Sequence, residues 1–139
     1  MSFFEKLTSA IIRNQSLLIV GLDPNPEMMP RNSNYRANLD NLIADLRDWL
    51  QFIIAETSDL VCAYKPTLGF YEVLGNEGWQ LLSEVLAAIP EDIPIILDAK
   101  YGDINTSSAL AHSIFTEWNV DAVTLNPYAG QDQIGRAHV

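Results

Sequence analysis

Apolar and polar positions follow two rhythms along the chain. Phe3, Phe4, Leu7, Ile11 and Ile12 share one helical face and predict a helix over Ser2–Gln15. Ser16–Leu22 is a short, mostly apolar run stopping at Asp23-Pro24, which predicts a buried strand. Residues 25–38 have no period and read as a loop with a partial helical turn. Helical spacing returns through Leu39, Leu42, Ile43, Leu46, Trp49, Leu50, Ile53 and Ile54, with Asp40, Asp45, Arg47 and Asp48 toward water. Asp59–Tyr64 is a second buried run, stopping at Lys65-Pro66. Phe70–Ile89 is helical but interrupted at Gly75–Gly78, and Pro90 closes it. Ile93–Leu97 is a third strand, Ser107 or Ser108 to Trp118 a helix, Val120–Leu125 a fourth strand, and Asn126–Gly130 the loop after it.

This order alternates helix and strand four times, and the crossover lengths demand parallel pairing. Four such units are half of an eight-unit α/β barrel. Each strand ends on a polar residue followed by a turn: Asp23-Pro24, Lys65-Pro66, Asp98 with Lys100, and Asn126-Pro127. Ligands of parallel α/β folds gather at those carboxyl ends.

The run Ile95–Asp103 is the most informative. An apolar strand ends in Asp98, Lys100 and Asp103, and crowding charges there costs stability, which points to a site. Asp98 and Lys100 are two apart, so they face the same side. The chain has three lysines, and two of them, Lys65 and Lys100, stand at the exits of consecutive strands. A lysine stem snorkelling from a strand end is the plain alternative. Flanking carboxylates would instead hold an ammonium charged and aimed, so that Lys100 can stabilise or protonate a developing anion. Asp23 reads either as a turn residue before Pro24 or as a ligand contact. Asp103 reads as a site residue or as a cap of the next helix, for which Ser107 and Ser108 are also available.

Composition narrows the partners. With 18 acidic and 8 basic residues the net charge is −10, which repels phosphate backbones and anionic membranes, so no nucleic acid and no membrane partner is expected. No apolar run reaches the ~18 residues of a membrane span, and Glu5 and Lys6 interrupt any signal-like core; a cytoplasmic location is expected. Cys62, the single cysteine, excludes an internal disulfide and reads as core packing. His112 is isolated and suggests no metal site. Residues 134–139, Ile-Gly-Arg-Ala-His-Val, break the pattern before them and look like the translation of a short-read sequencing adapter. They are set aside as a non-native tail, leaving one partial barrel domain over 1–133.

Asp98-Ala-Lys100-Tyr-Gly-Asp103-Ile104 resembles the D-x-K-x-x-D-I signature of orotidine 5′-phosphate decarboxylases. The resemblance extends through Gly21-Leu22-Asp23-Pro24, Tyr64-Lys65-Pro66 and Asn126-Pro127-Tyr128, in the right order over 2–133. It implies the N-terminal half of a TIM (β/α)8 barrel and the conversion of orotidine 5′-phosphate to uridine 5′-phosphate without metal or organic cofactor. In that reading Lys100 donates the proton to C6 and Asp98 faces the departing carboxylate. Lys65 holds the ribose and the carboxylate network, and Asp23 also lies near the ribose. Asp103 would reach the site of a second subunit, implying a homodimer. Ser107 stands where the family usually has an interface threonine, retaining the hydroxyl without the methyl, and Tyr101 also departs from many members. The Asn105–Ser108 run resembles a subgroup sometimes fused to a phosphoribosyltransferase domain.

Two rival readings remain at this point. Magnesium-dependent sugar-phosphate decarboxylases and aldolases of the same superfamily share the D-x-K-x-x-D arrangement but carry an acidic residue at the end of the second strand, where this chain has Lys65. Alternatively, these residues form an inactive piece, because the family's phosphate-gripping loops follow later strands. Weak stability or aggregation is then expected from two open sheet edges.

Overall fold

Parallel strands appear in the computed structural model where the apolar runs place them, but shorter. The structure describes residues 1–30, 39–102 and 106–129. The strands are β1 (Ile19–Gly21), β2 (Ala63–Lys65), β3 (Ile96–Tyr101) and β4 (Ala122–Leu125). β1 pairs with β2 and β3 with β4, both parallel. Single parallel bridges, Tyr64 to Ile95 and Thr67 to Asp98, link β2 to β3. The strands therefore lie side by side in chain order, as in one half of an eight-stranded barrel.

The helices are α1 (Phe3–Asn14), α2 (Leu39–Thr57), α3 (Leu68–Glu72), α4 (Asn76–Ala88) and α5 (Ser107–His112). Ser2 and Glu5 form a capping box on α1, so both ends of that first turn are satisfied. The expected break at Gly75–Gly78 separates α3 from α4. Gly75 adopts φ +69, open to glycine at little cost, and a Cβ at Gly78 would lie 1.9 Å from the Tyr71 carbonyl oxygen. After α5 the chain widens into one π-helical turn, Ser113–Glu117, before β4.

The core lies between the sheet and the helices. Leu46, Leu50 and Ile54 of α2 and Leu81, Leu82 and Val85 of α4 are buried together with Tyr64 and Leu97. Strand alternation sends Tyr64 toward α2, where its hydroxyl donates to the Ile54 carbonyl. It sends Lys65, Asp98 and Thr124 to the other face. Cys62 is buried, as its apolar neighbours imply. Among the described residues no helix is long and apolar enough to cross a membrane.

Three expectations are corrected. The Ser16–Leu22 run is buried only at its end: Leu22 is fully buried, but Leu17, Leu18 and Ile19 are 78%, 52% and 43% exposed. β1 pairs on one side only among the described residues, so its apolar content does not report burial. The third strand starts at Ile96 and runs on through Asp98 and Lys100. Pro94 has no N–H for a ladder, and the charged residues are accommodated by a register shift against β4. The N-cap position of α5 falls on Thr106, one position before the two serines, and its side chain makes no capping hydrogen bond to the helix.

Candidate active site

β3 and β4 pair at Ile96–Ala122 and Leu97–Val123, and resume at Tyr101–Leu125. Three residues of β3 thus face only Thr124, an irregularity that bends a strand and re-aims its side chains. Lys100 takes up the distortion with φ +53, a left-handed conformation costing a non-glycine residue about 1 kcal/mol. Its amide, displaced from the ladder, donates to Thr124 Oγ1 at 3.0 Å.

Asp98 is the centre of the site. Its Oδ1 accepts from Lys100 Nζ at 2.7 Å and from Thr124 Oγ1 at 2.8 Å, and its Oδ2 accepts from Lys65 Nζ at 3.0 Å. The carboxylate is only 13% exposed, whereas Lys65 is 35% and Lys100 67% exposed. The hydrogen bond from Lys100 holds the Asp98 carboxyl well below the usual carboxylate range. Desolvation opposes this, and Thr124 and Lys65 reinforce it. One ionised carboxylate thus fixes two ammonium groups, and the more exposed one, Lys100, is the one free to meet a ligand.

Asp23 follows β1 and is tied in differently. Its Oδ1 accepts from the Thr67 backbone N–H at 2.9 Å, and Thr67 Oγ1 accepts from Lys65 Nζ at 3.3 Å. Thr67 therefore links Asp23 to the lysine–aspartate cluster. The preceding carbonyl, of Leu22, accepts from the buried Tyr71 hydroxyl at 2.6 Å, which anchors this strand exit. Asp23 is thus a turn residue at the β1 exit that is joined to the cluster through one threonine. Asp103 lies outside the described residues. Ser107 opens α5, but its side chain is not among those described.

Sequence reasoning missed Thr67 and Thr124. Thr67 follows directly on the Lys65-Pro66 turn at the exit of β2, and that position is the signal for it. Thr124 lies inside the run that predicts the fourth strand, and only the β3 register shift brings it to Asp98.

A parallel α/β half-barrel with an Asp–Lys–Lys cluster at its strand exits places the chain in the class of parallel α/β barrels, whose sites lie at that end. Residues 16–138 match the model of the "Orotidine 5′-phosphate decarboxylase / HUMPS family", and the chain belongs to that family. It is 63% identical over 134 residues to "Bifunctional enzyme PyrF/PyrE" of Nostoc sp., covering 96% of this chain and 27% of that protein. It is 45% identical over 137 residues to "Orotidine 5′-phosphate decarboxylase" of Herpetosiphon aurantiacus, covering 95% and 48%. Among solved structures it is similar to Leishmania donovani UMP synthase, with TM-score 0.81 and 40% identity over 99% of this chain and 27% of that one. It is also similar to Leishmania donovani OMP decarboxylase, with TM-score 0.79 and 38% identity over 99% and 49%. The chain thus spans about half the length of single-function relatives and about a quarter of the bifunctional one.

Proposed function

We propose that the protein encoded by the complete reading frame around these residues decarboxylates orotidine 5′-phosphate to uridine 5′-phosphate, in pyrimidine nucleotide synthesis in the cytoplasm. The observation that carries this reading is the Asp98 carboxylate held between Lys65 and Lys100. In the reaction the bond between C6 and the carboxylate breaks, carbon dioxide leaves, and the electron pair left on C6 takes a proton from Lys100 Nζ. That carbanion has no adjacent carbonyl to spread its charge, so a preorganised ammonium must stabilise it. Asp98 aims Lys100 through their 2.7 Å hydrogen bond, and its own negative charge opposes the substrate carboxylate, a contested source of rate. Lys65 supports the ribose and the charge network, and Asp23 lies toward the ribose.

Asp103 and Ser107 are proposed to serve a neighbouring subunit, making the working form a homodimer. Lys65 at the exit of β2 favours the metal-free reaction over the magnesium-dependent chemistry, because it stands where that chemistry needs an acidic ligand. The test is loss of orotidine 5′-phosphate absorbance with the purified protein, with and without chelator. Chelator-insensitive turnover is expected. Turnover that needs a divalent cation, or a protein that turns over a sugar phosphate instead, would sink the proposal.

A further inference from the structure

We propose that Thr124 is a positioning residue for the decarboxylation: its hydroxyl couples the orientation of Asp98 to the left-handed backbone of Lys100. The kinetic part of this inference rests on the function proposed above; the structural part does not.

The direction of each hydrogen bond follows from the chemistry of the groups. The Lys100 amide has only a proton to give, so at 3.0 Å Thr124 Oγ1 accepts. The hydroxyl proton is then left for Asp98 Oδ1 at 2.8 Å, and an ionised carboxylate can only accept it. One hydroxyl therefore reads two things at once: the ionised state of Asp98 and the displaced amide of Lys100. Neither bond exists in a regular ladder. Both arise because the β3–β4 pairing skips from Leu97–Val123 to Tyr101–Leu125, which leaves Thr124 opposite the three-residue excursion.

The consequence is specific to the ammonium. Lys100 Nζ reaches Asp98 Oδ1 from the same residue whose amide Thr124 holds, so a loop of side chain, carboxylate, hydroxyl and amide closes on itself. Without the hydroxyl, the left-handed conformation at Lys100 loses its acceptor and Asp98 loses one of three donors. The amine is still present, but neither its backbone root nor its counter-charge is fixed. A displacement of about 1 Å at such a group is enough to cost a large factor in rate without changing the affinity for substrate.

The test compares Thr124→Val, Thr124→Ser and wild type. Two readouts need no activity: amide hydrogen exchange at Lys100 and the 13C shift of the Asp98 carboxyl. Exchange at Lys100 is expected to quicken by about tenfold or more in Thr124→Val, and to stay near wild type in Thr124→Ser. In the decarboxylation assay Thr124→Val is expected to lower kcat by about 10–100-fold with KM changed less than about threefold, and Thr124→Ser to restore the rate.

Impairment in Thr124→Ser as large as in Thr124→Val would mean that the hydroxyl alone does not carry the effect, and would overturn the proposal. So would an unchanged kcat in Thr124→Val. If Thr124→Val does not fold, Thr124→Ser against Thr124→Ala decides the same question, with loss in both overturning it. If orotidine 5′-phosphate is not turned over by wild type, the functional reading falls by itself. Exchange at Lys100 still decides the positioning role, and an unchanged rate in Thr124→Val would refute it.

Discussion

Replacing Asp98 by asparagine keeps the shape of the residue and removes the charge on which two lysines converge. The amide has one oxygen. Turned toward Lys100 and Thr124, it presents its NH2 to Lys65 Nζ, which the carboxylate met at 3.0 Å, so a donor faces a donor. Turned the other way, it loses the 2.7 Å bond to Lys100 and the 2.8 Å bond to Thr124. At least one charge-assisted hydrogen bond is lost, worth about 1.5–3 kcal/mol, and Lys65, 35% exposed, rehydrates only in part. The net expectation is a loss of about 2–4 kcal/mol at pH 7.

Lys100→Met provides the contrast. That side chain is 67% exposed, so its pair with Asp98 is screened and its removal should cost no more than about 1 kcal/mol. Both values come from urea unfolding followed by tryptophan fluorescence. The pH dependence supplies a second check with a definite sign. Because its partners depress the Asp98 pKa in the folded state, its contribution is fully present above the unfolded value of about 4. It disappears as pH falls through the lower folded value. The gap between wild type and Asp98→Asn should therefore narrow below about pH 4. An Asp98→Asn variant as stable as wild type at pH 7, or a gap that stays constant into acid, would refute the reasoning.

Two further outcomes follow from the packing. Gly78→Ala places a methyl 1.9 Å from the Tyr71 carbonyl oxygen and 2.8 Å from Leu74 Cβ, so α3 and α4 must separate; a loss of roughly 3 kcal/mol or more, or failure to fold, is expected in thermal unfolding. Leu18→Lys puts a charge beside the one-sided β1 edge, where Leu18 is 52% exposed, and should reduce self-association of the 139-residue chain in sedimentation velocity while changing unfolding free energy by less than about 0.5 kcal/mol.

The alternation of helix and strand was legible because each segment obeys one period and each strand stops on a polar residue. Lys65, Asp98 and Lys100 were legible for the same reason: charges at the ends of apolar runs are costly, and the structure brings all three together. Burial of β1 was misread. An apolar strand shows what it would prefer to touch, and Leu17–Ile19 are exposed because burial depends on a neighbour that no local pattern encodes. The extension of β3 and the role of Thr124 were hidden in the register shift, which follows from how two strands fit together and leaves no periodic trace in either. Asp103, prominent in the sequence, lies outside the described residues.

The proposed decarboxylation depends on a lysine, held by Asp98, that donates the final proton. Its most direct test is Lys100→Ala in the complete protein, with turnover of orotidine 5′-phosphate and binding of the same nucleotide measured side by side. Turnover reduced by roughly 10³-fold or more with binding retained is expected. Turnover within about tenfold of wild type would contradict it.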